Sequence, residues 1–309
     1  MKKIDPANQA ALATQSSRRG FTLVELLVVV AIISILFGLL IGGFRWAVTS
    51  GRETATRATI ERVQKLLDQK VDGFIKHFDK ASNLENTNEY QQALTEAGGD
   101  TALATILAKK KLLRRFFPQN FTEFDLHSSM TTAANHTSDT ESAEVLFYIL
   151  SQKGTVLGDP PLGSDFDSNT ARDTDNDGLM EIVDGWGKPL RFYRWPTRLI
   201  KTDGINITTD YWKMANSASL TTDQLKIDQD DPLGKTSLTS WGGSSSFEAN
   251  YHTPSTYHVM LIISAGQDGI LGLYEPGDIT NHGNLARPLS TANVELIDSY
   301  TNLKQLGGK

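Results

Sequence analysis

The chain has 309 residues, a formal charge of −6 and no cysteine. Disulfides, thiolate metal sites and cysteine nucleophiles are therefore excluded, and no chain-wide basic surface is offered to nucleic acid, so no nucleic-acid partner is expected. The length suits one medium domain or two small ones beside a membrane segment.

Met1–Gly20 is polar, with Lys2, Lys3, Arg18 and Arg19 as its bases and Asp5 as its only acid. An apolar run begins directly after Gly20. A secretory signal peptide has the opposite order, its small-residue cleavage site following the apolar core, so a cut here leaves the apolar segment on the mature chain. No charged residue occurs from Leu26 to Phe44, close to the roughly 20 residues that an α-helix needs to cross hydrocarbon. Residues 21–44 are thus predicted as a transmembrane helix. Glu25 is the one carboxylate in the run. An unpaired ionised side chain at mid-helix costs about 2.5–3.5 kcal/mol on insertion scales. Glu25 therefore either reaches the headgroups or meets an opposite charge. Gly38 and Gly42 form a small-xxx-small pair that permits close helix approach, and Gly42-Gly43 is a point where the helix can weaken.

Ile60, Val63, Leu67, Val71, Phe74 and Phe78 then recur at spacings of three and four, which predicts an amphipathic helix over 53–78. Charged residues from Arg52 to Asp68 occupy mostly its other faces. One long helix follows, half in the membrane and half (45–80) packed on a globular domain at 81–309. Within that domain, 83–99 is expected to be loop with a short helix. A helix over 101–117 carries Lys109, Lys110, Lys111, Arg114 and Arg115 on a solvated face and ends at Pro118. The Ser138–Glu141 stretch reads as a capping box before a helix at 143–150. Strands are predicted at 190–195 and 257–264, with Tyr257, Val259, Leu261 and Ile263 on one face. A Ser/Thr/Asp/Gly-rich insertion of weak local structure separates them at about 202–253. A Gly/Asp loop over 264–284 and a tail over 289–306 complete the chain.

Asp173 to Asp184 follows the spacing of an EF-hand calcium loop. Asp173, Asp175 and Asp177 offer hard oxygens on alternate residues, and Gly178 permits the sharp turn. Leu179 would supply a carbonyl and Glu181 a direct or water-mediated contact. Asp184 stands where a bidentate glutamate is usual. Flanking helices are not evident. Three converging aspartates repel one another without a cation, so Ca2+ is the expected ligand, with a metal-free acidic turn as the alternative. No His-Glu-x-x-His or Gly-x-Ser-x-Gly motif is present, and the six histidines show no ligand spacing. A non-enzyme is expected.

The run Gly20-Phe21-Thr22-Leu23-Val24-Glu25 resembles the class III leader of type IV pilins and type II secretion pseudopilins. The resemblance implies that a prepilin peptidase cuts between Gly20 and Phe21 and methylates Phe21. Glu25 would then pair with the N-terminal amine of a neighbouring subunit. It also implies an α+β, type IV pilin-like fold: an N-terminal helical spine on a small antiparallel sheet with calcium-binding loops. Such a subunit passes once through the inner membrane and keeps its globular domain in the periplasm. It assembles with pilin-like subunits of its own or other kinds, on a secretion assembly platform, into a pseudopilus or pilus-like filament.

A second resemblance lies further on. Asp184-Gly185-Trp186-Gly187-Lys188-Pro189 is similar to the Asp-Pro-Trp-Gly-Asn-Pro strand entry of the major type II secretion pseudopilin. Ser264–Gly269 with Asp278–Asn281 is similar to its C-terminal calcium loop. Asp278 and Thr280 are the implied ligands there, with Asp268 or Glu275 able to add one. Gly185 replaces the first proline, and the 202–253 insertion separates the two motifs. The reading from another class is a membrane-anchored calcium-dependent hydrolase or sugar-binding module.

Overall fold

The computed structural model describes residues 21–123, 137–151, 157, 166–196, 231, 260–287 and 289. The leader with Gly20, all of the 202–253 insertion except Asp231, Tyr257, Val259 and the 291–309 tail lie outside these residues. The protein is α+β, with a long N-terminal helix and a small antiparallel sheet. Residues up to Thr49 form one compact unit and those from Ser50 onward a second.

Helix α1 spans Leu23–Phe78. In the first unit every residue from Phe21 to Val48 is exposed, although the segment is strongly apolar. A helix satisfies its backbone hydrogen bonds internally, so such a segment is stable in lipid, and it fits a single-pass membrane anchor. Ser34, the polar residue of its middle, turns its hydroxyl back to the Val30 carbonyl at 2.8 Å.

In the second unit α1 buries Thr56, Ile60, Val63, Leu67, Lys70, Phe74 and Phe78. This is the predicted stripe, with Lys70 buried and Val71 half-buried beside it. The core packed on the stripe comes from α2 (Ala81–Glu85), α3 (Asn88–Glu96), α4 (Thr101–Phe116), α5 (Glu141–Ser151) and the strands. Phe74 gathers an aromatic group, with ring centroids 4.9 Å from Phe78 and 6.0 Å from both Phe116 and Phe117.

Local sequence sets the helix ends. Thr87 caps α3 through Tyr90 N–H, and Asp100 caps α4 through the amides of Ala102 and Leu103. The basic run of α4 is less solvated than its composition suggests. Lys109 meets Asp79, Lys111 meets Glu96, Arg114 meets Glu123 and Arg115 meets Glu89, while Lys110 is buried. The capping box before α5 also differs from expectation. Glu141 opens the helix and accepts from the amide of Phe121, 20 residues away. Long-range pairing has displaced the local cap.

The sheet is two short antiparallel ladders. Strand β1 (Ala171–Arg172) pairs with β2 (Glu181–Ile182), and β3 (Arg191–Tyr193) pairs with β4 (Leu261–Ile263), Phe192 facing Ile262. On β4 three buried residues follow in a row, so the face opposite Leu261 and Ile263 is covered as well. The outer edge of β3 is closed by side chains. Ser142 Oγ accepts from Phe192 N–H at 2.7 Å, and Gln119 Oε1 accepts from Arg194 N–H at 2.8 Å. Arg194 is buried against Glu123, with Nη1 2.6 Å from Oε2 and Nη2 3.2 Å from Oε1, and also donates to the Phe117 carbonyl. Burial alone would raise the Glu123 carboxyl, but Arg194 and Arg114 hold it below the ordinary value.

The turn Asp184–Lys188 seats on α1. Gly185 N–H donates to Thr56 Oγ1 at 2.9 Å, and that hydroxyl donates to the Arg52 carbonyl at 2.9 Å. A Cβ on Gly185 would stand 2.3 Å from the Arg52 oxygen. This contact requires both the absence of a side chain and a free N–H, which accounts for glycine where the resembling motif has proline. Gly185→Ala is expected to destabilise the second unit by about 1–3 kcal/mol through overpacking. Thr56→Val should cost a similar amount, about 1–3 kcal/mol, by leaving the Gly185 amide unsatisfied. Denaturant unfolding of the detergent-solubilised chain measures both, and wild-type midpoints would refute the docking.

Candidate functional site

At the start of α1, Thr22 and Glu25 cap each other. Glu25 N–H donates to Thr22 Oγ1 at 3.2 Å, while Glu25 Oε2 accepts from Thr22 N–H and from the Thr22 hydroxyl, both at 2.8 Å. This is the reciprocal pattern of a capping box, Thr-x-x-Glu. The carboxylate is thus held at the end of the span, satisfying an amide that a helix start leaves open. Sequence reasoning weighed headgroups and an ionic partner for Glu25 and overlooked the hydroxyl three residues earlier. Phe21 precedes the cap and is 80% exposed.

The second candidate is the acidic hairpin. Pairing of Ala171 with Ile182 and of Arg172 with Glu181 closes residues 173–180 into a loop. Asp173 works within that loop: Oδ1 accepts from the amides of Asn176 and Asp177, and Oδ2 from Gly178. Asn176 and Gly178 both have positive φ, 64° and 94°, which produces the sharp reversal. Asp177 Oδ1 accepts from Leu179 N–H at 2.7 Å, and Leu179 packs at the core's edge.

Carboxylate oxygens of Asp175, Asp177, Glu181 and Glu144 lie within 4.8 Å of one another. Glu144 comes from α5 and is 2% exposed; Glu181 is fully buried. Thr140, just before α5, donates to Asp175 Oδ2 at 2.9 Å. Glu181 Oε2 accepts from Thr174 N–H at 2.6 Å, whereas its buried Oε1 has no hydrogen-bond partner among the described residues. Burial pushes the Glu144 carboxyl up to about 8, a Thr140 hydrogen bond opposes this, and the charges of Asp177, Glu181 and Asp175 add to it. Glu181 is also raised, mainly by burial. All the donors are hard oxygens, and a buried orphan oxygen among converging carboxylates suits a cation. The group could hold a metal ion.

The other expected ligands are placed differently. Asp184 is buried, but Oδ1 accepts from the amides of Trp186 and Lys188 and Oδ2 from the Ser264 hydroxyl at 2.6 Å. It joins the two stretches of the second resemblance. Asp268 Oδ1 accepts from Ile270 N–H, and Asp278 accepts from the backbone and side-chain amides of Asn281. Thr280 is exposed. Glu275 forms a bidentate pair with Arg191, at 2.6 and 3.1 Å. Glu144 was missed in the sequence, and the available signal was a lone carboxylate in the apolar run Ala143–Leu150.

Residues 15–41 match the prokaryotic N-terminal methylation motif. The match covers under a tenth of the chain and supports a type IV pilin-like protein with a prepilin leader. No curated protein and no solved structure matches the chain.

The raised carboxyls fix the sign of a pH effect. A carboxyl whose folded value exceeds its unfolded value near 4.5 stabilises fully below that value, and the stability is lost as pH rises through the folded value. Melting of the chelator-treated chain should therefore fall between about pH 5 and about pH 9. Calcium should reverse the fall at the alkaline end, because it needs the ionised oxygens. A melting temperature that is flat in pH and indifferent to calcium would reject the cation assignment.

Proposed function

We propose that the chain is a structural, non-enzymatic subunit of a type II secretion pseudopilus or type IV pilus-like filament. The observation that supports this best is the methylation motif running into the apolar segment of α1 that is exposed from Phe21 to Val48. In this reading prepilin peptidase cuts between Gly20 and Phe21 and methylates Phe21. The subunit waits in the inner membrane by its single span, its globular unit in the periplasm. It then enters a filament on a secretion assembly platform, with further copies or with other pilin-like subunits.

The Thr22–Glu25 cap fits this role. Both bonds from Thr22 use Glu25 Oε2, and the methylated amine of the incoming Phe21 would supply the counter-charge that a carboxylate requires in low dielectric. The ion assigned to the acidic hairpin is calcium, which takes six to eight oxygen ligands in flexible geometry. Asp175, Asp177 and Glu181 would hold it. Its contribution is bracing of the hairpin by charge compensation.

Two experiments test the reading. Intact mass of the membrane-extracted protein should begin at methyl-Phe21, and Gly20→Val should leave the leader attached; a mature N-terminus beyond Phe44 would sink the proposal. Glu25→Leu should insert at least as well as wild type, since it removes a charge from lipid. It should also fail to enter filaments recovered by shearing. Normal incorporation of that variant would overturn the pairing.

A further inference from the structure

The calcium reading above treats the hairpin as a local loop. The described structure places a fourth carboxylate on the same point from another element. Glu144 lies on the first turn of α5, about 30 residues earlier in sequence, and its carboxylate converges with those of Asp175, Asp177 and Glu181 within 4.8 Å. We propose that Glu144 is a calcium ligand and that the ion is a clasp between α5 and the β1–β2 hairpin. This rests on the calcium reading and extends it from a turn to a tertiary joint.

Three observations carry the inference. First, Glu181 is fully buried and its Oε1 has no hydrogen-bond partner among the described residues. A buried carboxylate oxygen left so is unfavourable unless something else completes it. Second, Asp173, the first ligand position of an isolated loop, spends its oxygens on three backbone amides of the turn. The convergent set thus draws its fourth carboxylate from outside the hairpin. Third, the start of α5 is already a junction. Thr140 reaches Asp175, Glu141 reaches the Phe121 amide and Ser142 reaches the Phe192 amide. A cation at Glu144 would lock the same turn to β2, which leads through Val183 directly to the Asp184 turn seated on α1.

Calorimetric titration of the detergent-solubilised full chain with calcium chloride, after chelator treatment, tests the clasp. Glu144→Gln should weaken binding by about tenfold or more, because a charged ligand is lost. In chelator it should melt no lower than wild type, because the uncharged amide fills the same space without the burial cost of a carboxylate. Glu141→Gln, one charge fewer on the same helical turn but outside the group, should bind within about threefold of wild type, since calcium affinity follows the charge of the ligand set. In hydrogen exchange, calcium should slow the amides of α5 and of β2 together in the wild type, and not in Glu144→Gln. If Glu144→Gln binds as wild type while Asp175→Asn does not, the hairpin binds calcium alone and the clasp is overturned, with the calcium reading intact. A wild-type chain that takes up no calcium overturns both.

Discussion

The second unit depends on how one buried carboxylate is satisfied. Asp184 is 3% exposed and accepts from two amides of its own turn and from the hydroxyl of Ser264, 80 residues away. Ser264 Oγ in turn accepts from Gly266 N–H. A buried charge without such donors would be strongly destabilising. The three bonds shape the 184–188 turn, tie it to the end of β4 and present Gly185 to α1. Neighbouring contacts reinforce the knot: Lys188 Nζ donates to the Gln267 carbonyl at 3.0 Å, and Tyr193 OH donates to the Tyr274 carbonyl at 2.9 Å.

The same theme recurs with charged pairs. Arg194 with Glu123 and Arg191 with Glu275 are both bidentate and flank the two ends of β3. Such geometry satisfies several donors at once and fixes direction as well as distance. A three-residue strand has few ladder bonds, so its position is set largely by side chains. The acidic hairpin stands apart from this pattern. Carboxylates of Asp175, Asp177, Glu181 and Glu144 converge there, so an added cation could complete it.

Much of this was legible in the sequence, because it is local or periodic. The α1 stripe follows from apolar spacing, and the apolar span from its length. The positions of β3 and β4 follow from short apolar runs, although the covering of both faces of β4 does not. The acidic loop was visible from alternating aspartates and Gly178. Its ladder of two residues on each side was too short to leave a periodic signal. Glu144 and Asp184 were harder for one reason: their partners are set by tertiary approach. Spacing alone assigned Asp184 to the loop's last ligand position, while its oxygens are used by Trp186, Lys188 and Ser264. Gly185 looked like a departure from a motif until the Arg52 carbonyl showed what the position must admit.

The cap at the head of α1 bears on recognition as well as on helix stability. A free glutamate side chain samples many rotamers, and ordering it on contact opposes binding. Through Oε2, Glu25 is already tethered to both the amide and the hydroxyl of Thr22. That ordering is complete before any cation approaches, so the encounter removes less freedom from the carboxylate than it would from an untethered one. Thr22 thereby preorganises the helix end for the pairing proposed for Glu25.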